Sequence, residues 1–345
     1  MSASDLGTAL LRWLDPEAAH GLAIRALQIL PLARPATDDP ILATTVAGLR
    51  FTNPIGLAAG LDKNAEALAG LSRLGFGSVE CGSVTPRAQD GNPRPRLFRL
   101  AEDRAIINRM GFNNHGLEAF ADRLTRRRAD VPVGANLGAN KETEDKAADY
   151  VAGLRRLAGL ADYFTINISS PNTPGLRALQ GAAALDDLLG RIAQARSETA
   201  AAPVFLKVAP DLEASEVEMI VAAALRHGVD GLIVSNTTLE RTGLSSPHAL
   251  EAGGLSGRPL RERALRVLTQ AATVSAGRLP LIGVGGIASG EDAYARIRAG
   301  ASAVQIYSAL IYGGPGLIGR IKRDLAALLR SDGFVSLEDA VGTAL

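Results

Sequence analysis

Neutral polar side chains and lysines follow a series of short apolar segments, and these are the residues best suited to chemistry. Only five lysines occur among 37 basic residues, and two of them, Lys63 and Lys207, directly follow or end apolar segments. Few carboxylates, no histidine and no metal-ligand cluster share these positions. The pattern favours neutral hydrogen bonding and charge stabilisation over hydrolysis by paired acids or zinc. The asparagines at such positions are Asn136, Asn167, Asn172 and Asn236.

An alternation of strands and helices would bring these residues together. From about residue 55, short apolar segments alternate with amphipathic stretches, as strands buried on both faces alternate with the helices that cover them. The α/β pattern predicts a closed (β/α)8 TIM barrel, whose site lies at the carboxyl ends of the strands, with an open doubly wound sheet as the alternative. The predicted strands are 55–59, 78–82, 132–137, 163–168, 204–208, 231–234, 281–284 and 303–306.

The composition sets limits on the class of protein. The 345 residues are 47% hydrophobic and 21% charged, which allows a large core and excludes wholesale disorder. The formal net charge of +1 argues against a nucleic-acid binder, which would carry a basic excess. A single cysteine, Cys81, excludes an internal disulfide and a cysteine-built metal site, and fits a reducing intracellular compartment. No apolar stretch reaches the length of a spanning helix.

Two short amphipathic helices are predicted ahead of the barrel, as a small N-terminal helical extension. Asp15 and Pro16 separate them, because Asp15 can cap the second helix and Pro16 suits its first position. Residues 41–51 are predicted to form a small hairpin that closes the barrel floor. The predicted division is therefore a two-helix element over residues 1–36 and a barrel over residues 37–345.

The segment GVGGIA at residues 283–288 loosely matches the G-x-G-x-x-A nucleotide pattern. A Rossmann interpretation is weak, because no acidic residue follows at the end of the next strand. In a barrel, the loops after strands seven and eight commonly bind phosphate through backbone N–H groups. The sequence therefore predicts a cofactor phosphate site, formed by Gly285, Gly286, Tyr307, Ser308 and Gly257.

Several long segments resemble the dihydroorotate dehydrogenases, specifically the quinone-linked, membrane-associated class 2. They occur in the order found in that family and cover nearly the whole chain, including the N-terminal helices. The segments are GLAAGLDK (56–63), NRMGFNN (108–114), NISSPNTPGLR (167–177), KVAPDL (207–212), SNTT (235–238), GGLSGRPL (253–260) and GVGGI (283–287).

The resemblance implies an FMN enzyme of pyrimidine (UMP) biosynthesis that oxidises (S)-dihydroorotate to orotate and passes the electrons to a membrane quinone. It implies Ser170 as the catalytic base, where class 1 enzymes carry cysteine, together with Lys207 as a catalytic residue. The implied FMN contacts are Ala59, Gly60, Leu61, Asp62, Lys63, Ser83, Asn136, Asn167, Lys207, Ser235, Gly257, Gly286, Tyr307 and Ser308. The implied pyrimidine contacts are Lys63, Asn108, Arg109, Met110, Gly111, Phe112, Asn167, Asn172, Asn236 and Thr237.

The chemistry of this reaction agrees with the residue types. Asparagine amides donate and accept at the amide-like edges of a pyrimidine, and backbone amides at 109–112 with Lys63 can hold its carboxylate. Reduced flavin is anionic near N1, and the Lys207 ammonium is the candidate that stabilises this charge. Serine is a weak base, and no histidine in the local motif activates Ser170. A relay through Thr173 or ordered water is the working hypothesis.

The resemblance also implies that residues 1–36 admit the quinone. His20, Arg99 and Tyr307 are expected near its head group. Acidic and basic residues balance in this segment, so attachment to the cytoplasmic face of the cell (inner) membrane is expected to be peripheral and driven by apolar area. A monomer that binds neither metal nor nucleic acid is expected.

Three alternatives remain open on the sequence. A cytosolic class 1 enzyme is disfavoured by Ser170 and by the N-terminal extension. An FMN barrel that acts on RNA, such as a tRNA dihydrouridine synthase, is disfavoured by the near-neutral charge and the lack of an appended basic domain. A barrel that binds a nucleotide or phosphate without catalysis would be excluded by a flavin spectrum.

Overall fold

The computed structural model describes residues 3–30, 32–199 and 202–345, so residues 1, 2 and 31 of the predicted N-terminal element lie outside it. The strands are β1 (Thr44–Val46), β2 (Leu49–Phe51), β3 (Ile55–Leu57), β4 (Ser78–Val84), β5 (Leu97–Leu100), β6 (Ala105–Asn108), β7 (Val133–Leu137), β8 (Tyr163–Asn167), β9 (Val204–Val208), β10 (Gly231–Val234), β11 (Gly254–Gly257), β12 (Leu281–Val284) and β13 (Ala301–Ile306). The α-helices are α1 (Ala3–Leu11), α2 (Pro16–Ile29), α3 (Leu68–Ser72), α4 (Gly116–Thr125), α5 (Lys146–Leu157), α6 (Ala182–Ser197), α7 (Ala214–Arg226), α8 (Arg261–Ser275), α9 (Gly290–Arg298), α10 (Ser308–Gly313), α11 (Gly316–Ser331) and α12 (Leu337–Ala340).

The strands predicted from apolar runs close into a barrel. β3 pairs with β4, and the pairing continues through β7, β8, β9, β10, β12 and β13 back to β3. Every one of these pairs is parallel. The strands are buried along nearly their whole length, because helices cover the outside and side chains fill the inside. The predicted (β/α)8 barrel is therefore confirmed, and the open sheet is excluded.

The amino end of the barrel is covered by the hairpin of β1 and β2, as predicted for residues 41–51. Val46 and Phe51 of this hairpin are buried in an apolar cluster with Tyr163, Phe205 and Ile282, which are residues of barrel strands. The cluster is separate from the main core between strands and helices. The hairpin therefore closes the floor of the barrel with apolar side chains.

A second sheet was not predicted from the sequence. β5, β6 and β11 form a three-stranded antiparallel sheet in the order β11-β6-β5. Gly257 of β11 was predicted only as part of a phosphate site. Glycine has low strand propensity, so the sequence of β11 carries a weak strand signal. Pairing with β6 overrides that propensity, and it carries Asn108, at the end of β6, and Gly257, at the end of β11, towards the barrel mouth.

The N-terminal helices form as predicted around Asp15. The Asp15 carboxylate accepts hydrogen bonds from the backbone N–H groups of Glu17 and Ala18, at 3.0 and 2.9 Å, and thereby caps α2. α2 packs on α3 and β5. Gly70 of α3 makes this approach close, since a Cβ there would lie 2.1 Å from the backbone oxygen of Leu27. No helix within the described residues is both long and apolar enough to cross a bilayer.

Candidate active site

A cavity of about 530 Å³ lies at the carboxyl ends of the barrel strands, between the barrel, α2 and the β5–β6–β11 sheet. Most of the residues expected to bind cofactor, pyrimidine or quinone line it, although they come from distant parts of the chain. They are His20, Ala59, Gly60, Lys63, Ser83, Asn108, Met110, Gly111, Phe112, Asn167, Ser170, Asn172, Lys207, Ser235, Asn236, Thr237, Gly257, Gly286, Tyr307 and Ser308.

A few of the expected contact residues do not line the cavity. Asp62 instead caps the turn before α3, where its carboxylate accepts hydrogen bonds from the N–H groups of Glu66 and Ala67, both at 2.8 Å. Burial is the main reason that the pKa of Asp62 is raised. Leu61 lies beside it and offers its backbone oxygen to His20. These two residues support the loop that carries Lys63.

Two arginines expected at the site point elsewhere. The Arg109 guanidinium forms an ion pair with Glu251 at 2.8 Å and lies over the Phe98 ring, so only its backbone is available for a ligand. Arg99 donates to the backbone oxygens of Arg12 and Leu14 at the end of α1. Its side chain therefore holds α1 to β5 and is not directed into the cavity.

The side chains of His20 and Lys63 contact each other at the end of the cavity below α2. His20 Nε2 lies 2.6 Å from the backbone oxygen of Leu61, so this nitrogen carries the proton, and Nδ1 accepts from Lys63 Nζ at 3.4 Å. Burial, and then the charge of Lys63, lower the pKa of His20 to about 4. Burial lowers the pKa of Lys63 to about 8. His20 is therefore neutral at physiological pH, and Lys63 is largely charged.

The asparagines form one hydrogen-bonded network. Asn236 Nδ2 donates to Asn167 Oδ1 at 3.1 Å, and Asn167 Nδ2 donates to Asn136 Oδ1 at 3.2 Å. Ser83 also donates to Asn136 Oδ1. Asn136 is completely buried, one layer below the cavity that Asn167 and Asn236 line. It therefore acts on any ligand through its neighbours.

Ser170 lies on a loop that several groups fix in place. Its Oγ accepts from the Asn172 backbone N–H at 3.3 Å, and Asn172 Nδ2 donates to Asn108 Oδ1 at 3.2 Å. Arg177 donates to the backbone oxygens of Ser169 and Thr237, at 3.0 and 2.9 Å, which joins the loops after β8 and β10. Ser170 and Asn172 both face the cavity.

The glycines after β12 form a concave backbone wall. Gly285 and Gly286 have φ angles of +116° and +72°, which favour glycine. A Cβ on Gly286 would lie 2.5 Å from Arg261 Cα. Ser308, which begins α10, shares a 2.7 Å hydrogen bond with Ser256 at the same wall. Backbone N–H groups and hydroxyls in such a cradle suit a phosphate.

The sequence analysis missed Glu80, whose carboxylate is completely buried inside the barrel. Glu80 Oε1 accepts from Asn136 Nδ2 and Oε2 accepts from Gln305 Nε2, both at 2.7 Å. The signal was present, because Glu80 is a lone carboxylate within the apolar segment SVECGSV. Glu80 was not predicted because it lies within β4, whereas site residues are expected at the carboxyl ends of the strands. Within the described residues, no group of three or more histidine, cysteine, aspartate or glutamate side chains is placed to hold a metal.

The fold and the site together define a (β/α)8-barrel enzyme whose buried lysines and amide groups suit redox chemistry on a small polar ring. The chain belongs to the dihydroorotate dehydrogenase family, and it is an oxidoreductase. The family profile, described as "Dihydroorotate dehydrogenase", matches residues 41–329.

Named relatives support a narrower resemblance. The chain is 57% identical to the dihydroorotate dehydrogenase (quinone) of Sphingopyxis alaskensis, over 99% of this chain and 98% of that protein. It is 59% identical to the enzyme of the same name from Rhodospirillum rubrum, over 98% and 93% of the two chains. The crystal structure of DHODH from Eimeria tenella in complex with ferulenol matches with a TM-score of 0.92 and 40% identity, covering 95% of each chain. The resemblance to the quinone-linked enzymes is therefore confirmed.

Proposed function

We propose that this protein oxidises (S)-dihydroorotate to orotate with FMN and returns the electrons to a membrane quinone. The observation that carries the proposal is a single cavity lined by the half-buried Lys63, the buried Lys207, an asparagine network and a loop serine. Its relatives named dihydroorotate dehydrogenase (quinone) match over nearly their full length. The reaction belongs to the synthesis of pyrimidine nucleotides.

The residues of the cavity fit FMN. Ser83, Asn167, Lys207 and Ser235 offer donors on one side, and the glycine wall with Ser308 offers a phosphate cradle. When bound, FMN supplies hydride acceptance. The Lys207 ammonium is the group of this chain that would balance the added negative charge.

The pyrimidine end of the site is formed by Lys63, Asn108, Asn172 and Asn236, with the backbone of 109–112. Lys63 supplies a positive charge for the carboxylate of the substrate, and the amides supply both donors and acceptors for its ring edges. Because His20 is neutral, Lys63 and not His20 supplies the positive charge that binds the substrate carboxylate. The site therefore suits a ring with amide-like edges and one carboxylate.

Ser170 is the residue that would take the proton from the substrate carbon. Its neighbour Thr173 is buried, and its hydroxyl oxygen has no hydrogen-bond partner among the described residues. That hydroxyl, or a water bound to it, is the means we propose for carrying the proton away from Ser170. Thr173→Ala should then slow proton abstraction; an unchanged rate would exclude Thr173 from the relay.

The helical element of residues 1–36 is the proposed quinone entrance. Its exposed apolar side chains include Leu10, Trp13 and Ile29, which are 63%, 89% and 77% exposed. His20 and Tyr307 line the adjoining cavity. We infer that this element rests in the cytoplasmic face of the cell membrane as a peripheral anchor of a monomer.

The test is to follow the two half-reactions of the purified protein. A yellow protein whose flavin is bleached by dihydroorotate without oxygen, and recoloured by a quinone, is the expected result. Uridine-containing RNA serves as the control substrate and should leave the flavin unchanged. A colourless protein, or a flavin that dihydroorotate does not bleach, would contradict the proposal.

A further inference from the structure

Glu80 is a buried carboxylate for which the chemistry above gives no task. It lies on β4, inside the barrel, with no exposed surface. Three side chains direct donors at it: Asn136 and Gln305 at 2.7 Å, and the Tyr163 hydroxyl at 3.4 Å. A carboxylate accepts only, whereas a protonated carboxyl must also donate. The set of donors around Glu80 is the set that an ionised carboxylate needs.

The orientation of the asparagine amides agrees with a negative charge on Glu80. Asn136 turns its NH₂ group to Glu80, which leaves its oxygen to accept from Asn167. Asn167 in turn leaves its own oxygen to accept from Asn236. All three NH₂ groups therefore point along one path towards Glu80. Backbone N–H groups hold the same orientation at the cavity, because Ser169 donates to Asn167 Oδ1 and Thr237 donates to Asn236 Oδ1.

Lys207 is the cation beside this hydrogen-bonded path, since it pairs with Asn167 in the register of β8 and β9. It is buried, lies on β9 and faces the cavity. Burial lowers the pKa of Lys207, and the charge of Glu80 opposes this effect. On the neighbouring strand β8 the titratable group inside the barrel is Tyr163, whose pKa burial raises well above its usual value, so it stays neutral.

We propose that Glu80 is an ionised positioning residue that orients Asn136, Asn167 and Asn236 as a directed chain and keeps the Lys207 ammonium charged. Glu80 contacts no ligand, and its negative charge affects the site only through these side chains. The part that concerns the flavin rests on the proposed function, whereas the ionisation and the amide orientation do not. The two parts are therefore tested separately.

Neutron diffraction from deuterium-exchanged crystals of the unaltered protein tests the first part. We expect no deuterium on either oxygen of Glu80, with the ND₂ groups of Asn136 and Gln305 directed at it. Gln305 Oε1 is buried without a hydrogen-bond partner among the described residues. A deuterium on Glu80 that is donated to this oxygen would overturn the proposal. This result does not depend on the identity of the substrate.

The potential of the bound flavin as a function of pH tests the second part. In Glu80→Gln, Lys207 should lose its proton at a lower pH, by about one unit, because the opposite charge that favours its protonated form has been removed. Reduction of the flavin takes up a proton at every pH, and above the pH at which Lys207 titrates it would take up one more. The fall of the potential with pH should therefore steepen at that lower pH. Below it, the potential should equal or exceed that of the unaltered protein, because a negative charge near the flavin has been removed.

Matched variants separate charge from packing. Gln305→Leu removes one donor to Glu80 but keeps its carboxyl group, so the pH at which Lys207 titrates should change less than in Glu80→Gln. Glu80→Asp, which restores the charge, should move that pH back from the value in Glu80→Gln. Superimposed potential profiles for Glu80→Gln and the unaltered protein would overturn the role towards Lys207. Failure of the flavin to bind even in the unaltered protein would instead contradict the proposed function.

Discussion

At the scale of single residues, Ser170 is the side chain whose removal should separate the two half-reactions. Ser170→Ala keeps the hydrogen bonds that fix its loop through Arg177, so FMN and orotate should still bind. Flavin reduction by dihydroorotate should slow by about 10²-fold or more, the usual effect of losing a general base. Reoxidation by quinone needs no base and should be nearly unchanged in stopped flow. Ser170→Cys should keep part of the activity, and an unaltered reduction rate in Ser170→Ala would remove Ser170 from this role.

Lys63 gives the site a predictable dependence on pH. Its pKa of about 8 means that it is charged below pH 8 and loses its charge as the pH rises above that value. Binding of the orotate carboxylate needs the charged form, so affinity should fall above pH 8, towards a limit of about tenfold per pH unit. His20 is neutral throughout this range, because its pKa is about 4.

Calorimetric titration with orotate between pH 6 and 10 measures this effect. Lys63→Gln is the control and should bind weakly without the fall above pH 8. An equal fall in both proteins would show that another group controls binding.

How far the sequence predicts the site depends on where each side chain lies. Lys63 and Lys207 were predicted because lysines are rare in this chain and these two follow apolar strands, whereas the role of Ser170 was implied by the family resemblance. Glu80 escaped because it belongs to a layer below the cavity, where its effect passes through other side chains. Arg109 and Arg99 were expected at the site, yet distant partners such as Glu251 draw them away. Such long-range pairings have no local signature in the sequence.

At the scale of elements, the N-terminal helices should be dispensable for one half-reaction and necessary for the other. Deletion of residues 1–36 should leave flavin reduction by dihydroorotate largely intact and spare reoxidation by a small soluble acceptor. Reoxidation by a long-tailed quinone should be severely impaired, because its path between the helices is lost. If the truncated protein binds FMN and still reacts normally with that quinone, the helices are only a structural cover.

Two single glycine substitutions test the same element without deleting it. Gly70→Ala would place a Cβ 2.1 Å from the Leu27 backbone and push α2 away from the barrel, so reaction with the long-tailed quinone should slow by up to about 10²-fold. A methyl group added at Gly21, within α2, would meet no atom within 4 Å, and Gly21→Ala should leave that rate unchanged. Equal rates in the two variants would show that the exact position of α2 on α3 does not affect the reaction with the quinone.

The barrel strands were predictable because most of them are nearly continuous apolar runs, as strands buried on both faces are. The predicted strand at 204–208 has the bounds of β9, and the predicted strand at 55–59 is longer than β3. The β5–β6–β11 sheet was not predictable in the same way. β11 is distant in the chain from β5 and β6, and it is glycine-rich. The mutual pairing of the three strands and a small apolar cluster that includes Phe98, Ile107 and Leu255 stabilise them.

At the scale of the whole molecule, attachment to lipid should depend on apolar area and little on charge. The formal net charge is +1, and Trp13 is the chain's single tryptophan and is exposed beside other apolar side chains of the N-terminal helices. Vesicles of neutral phospholipid should therefore shift Trp13 fluorescence to shorter wavelength, and added salt should not reverse the shift. Trp13→Phe supplies the blank. Binding that required anionic lipid and disappeared with salt would contradict this account.

The hairpin that closes the floor has a practical consequence for handling the protein. Its turn at Ala47 and Gly48 lies at the end of the barrel opposite the cavity, and Gly48 is exposed with nothing packed against it. A linker attached there would hold the molecule by its sealed end. On an electrode, every molecule would then present its open end to the solution, where a dissolved mediator can reach it.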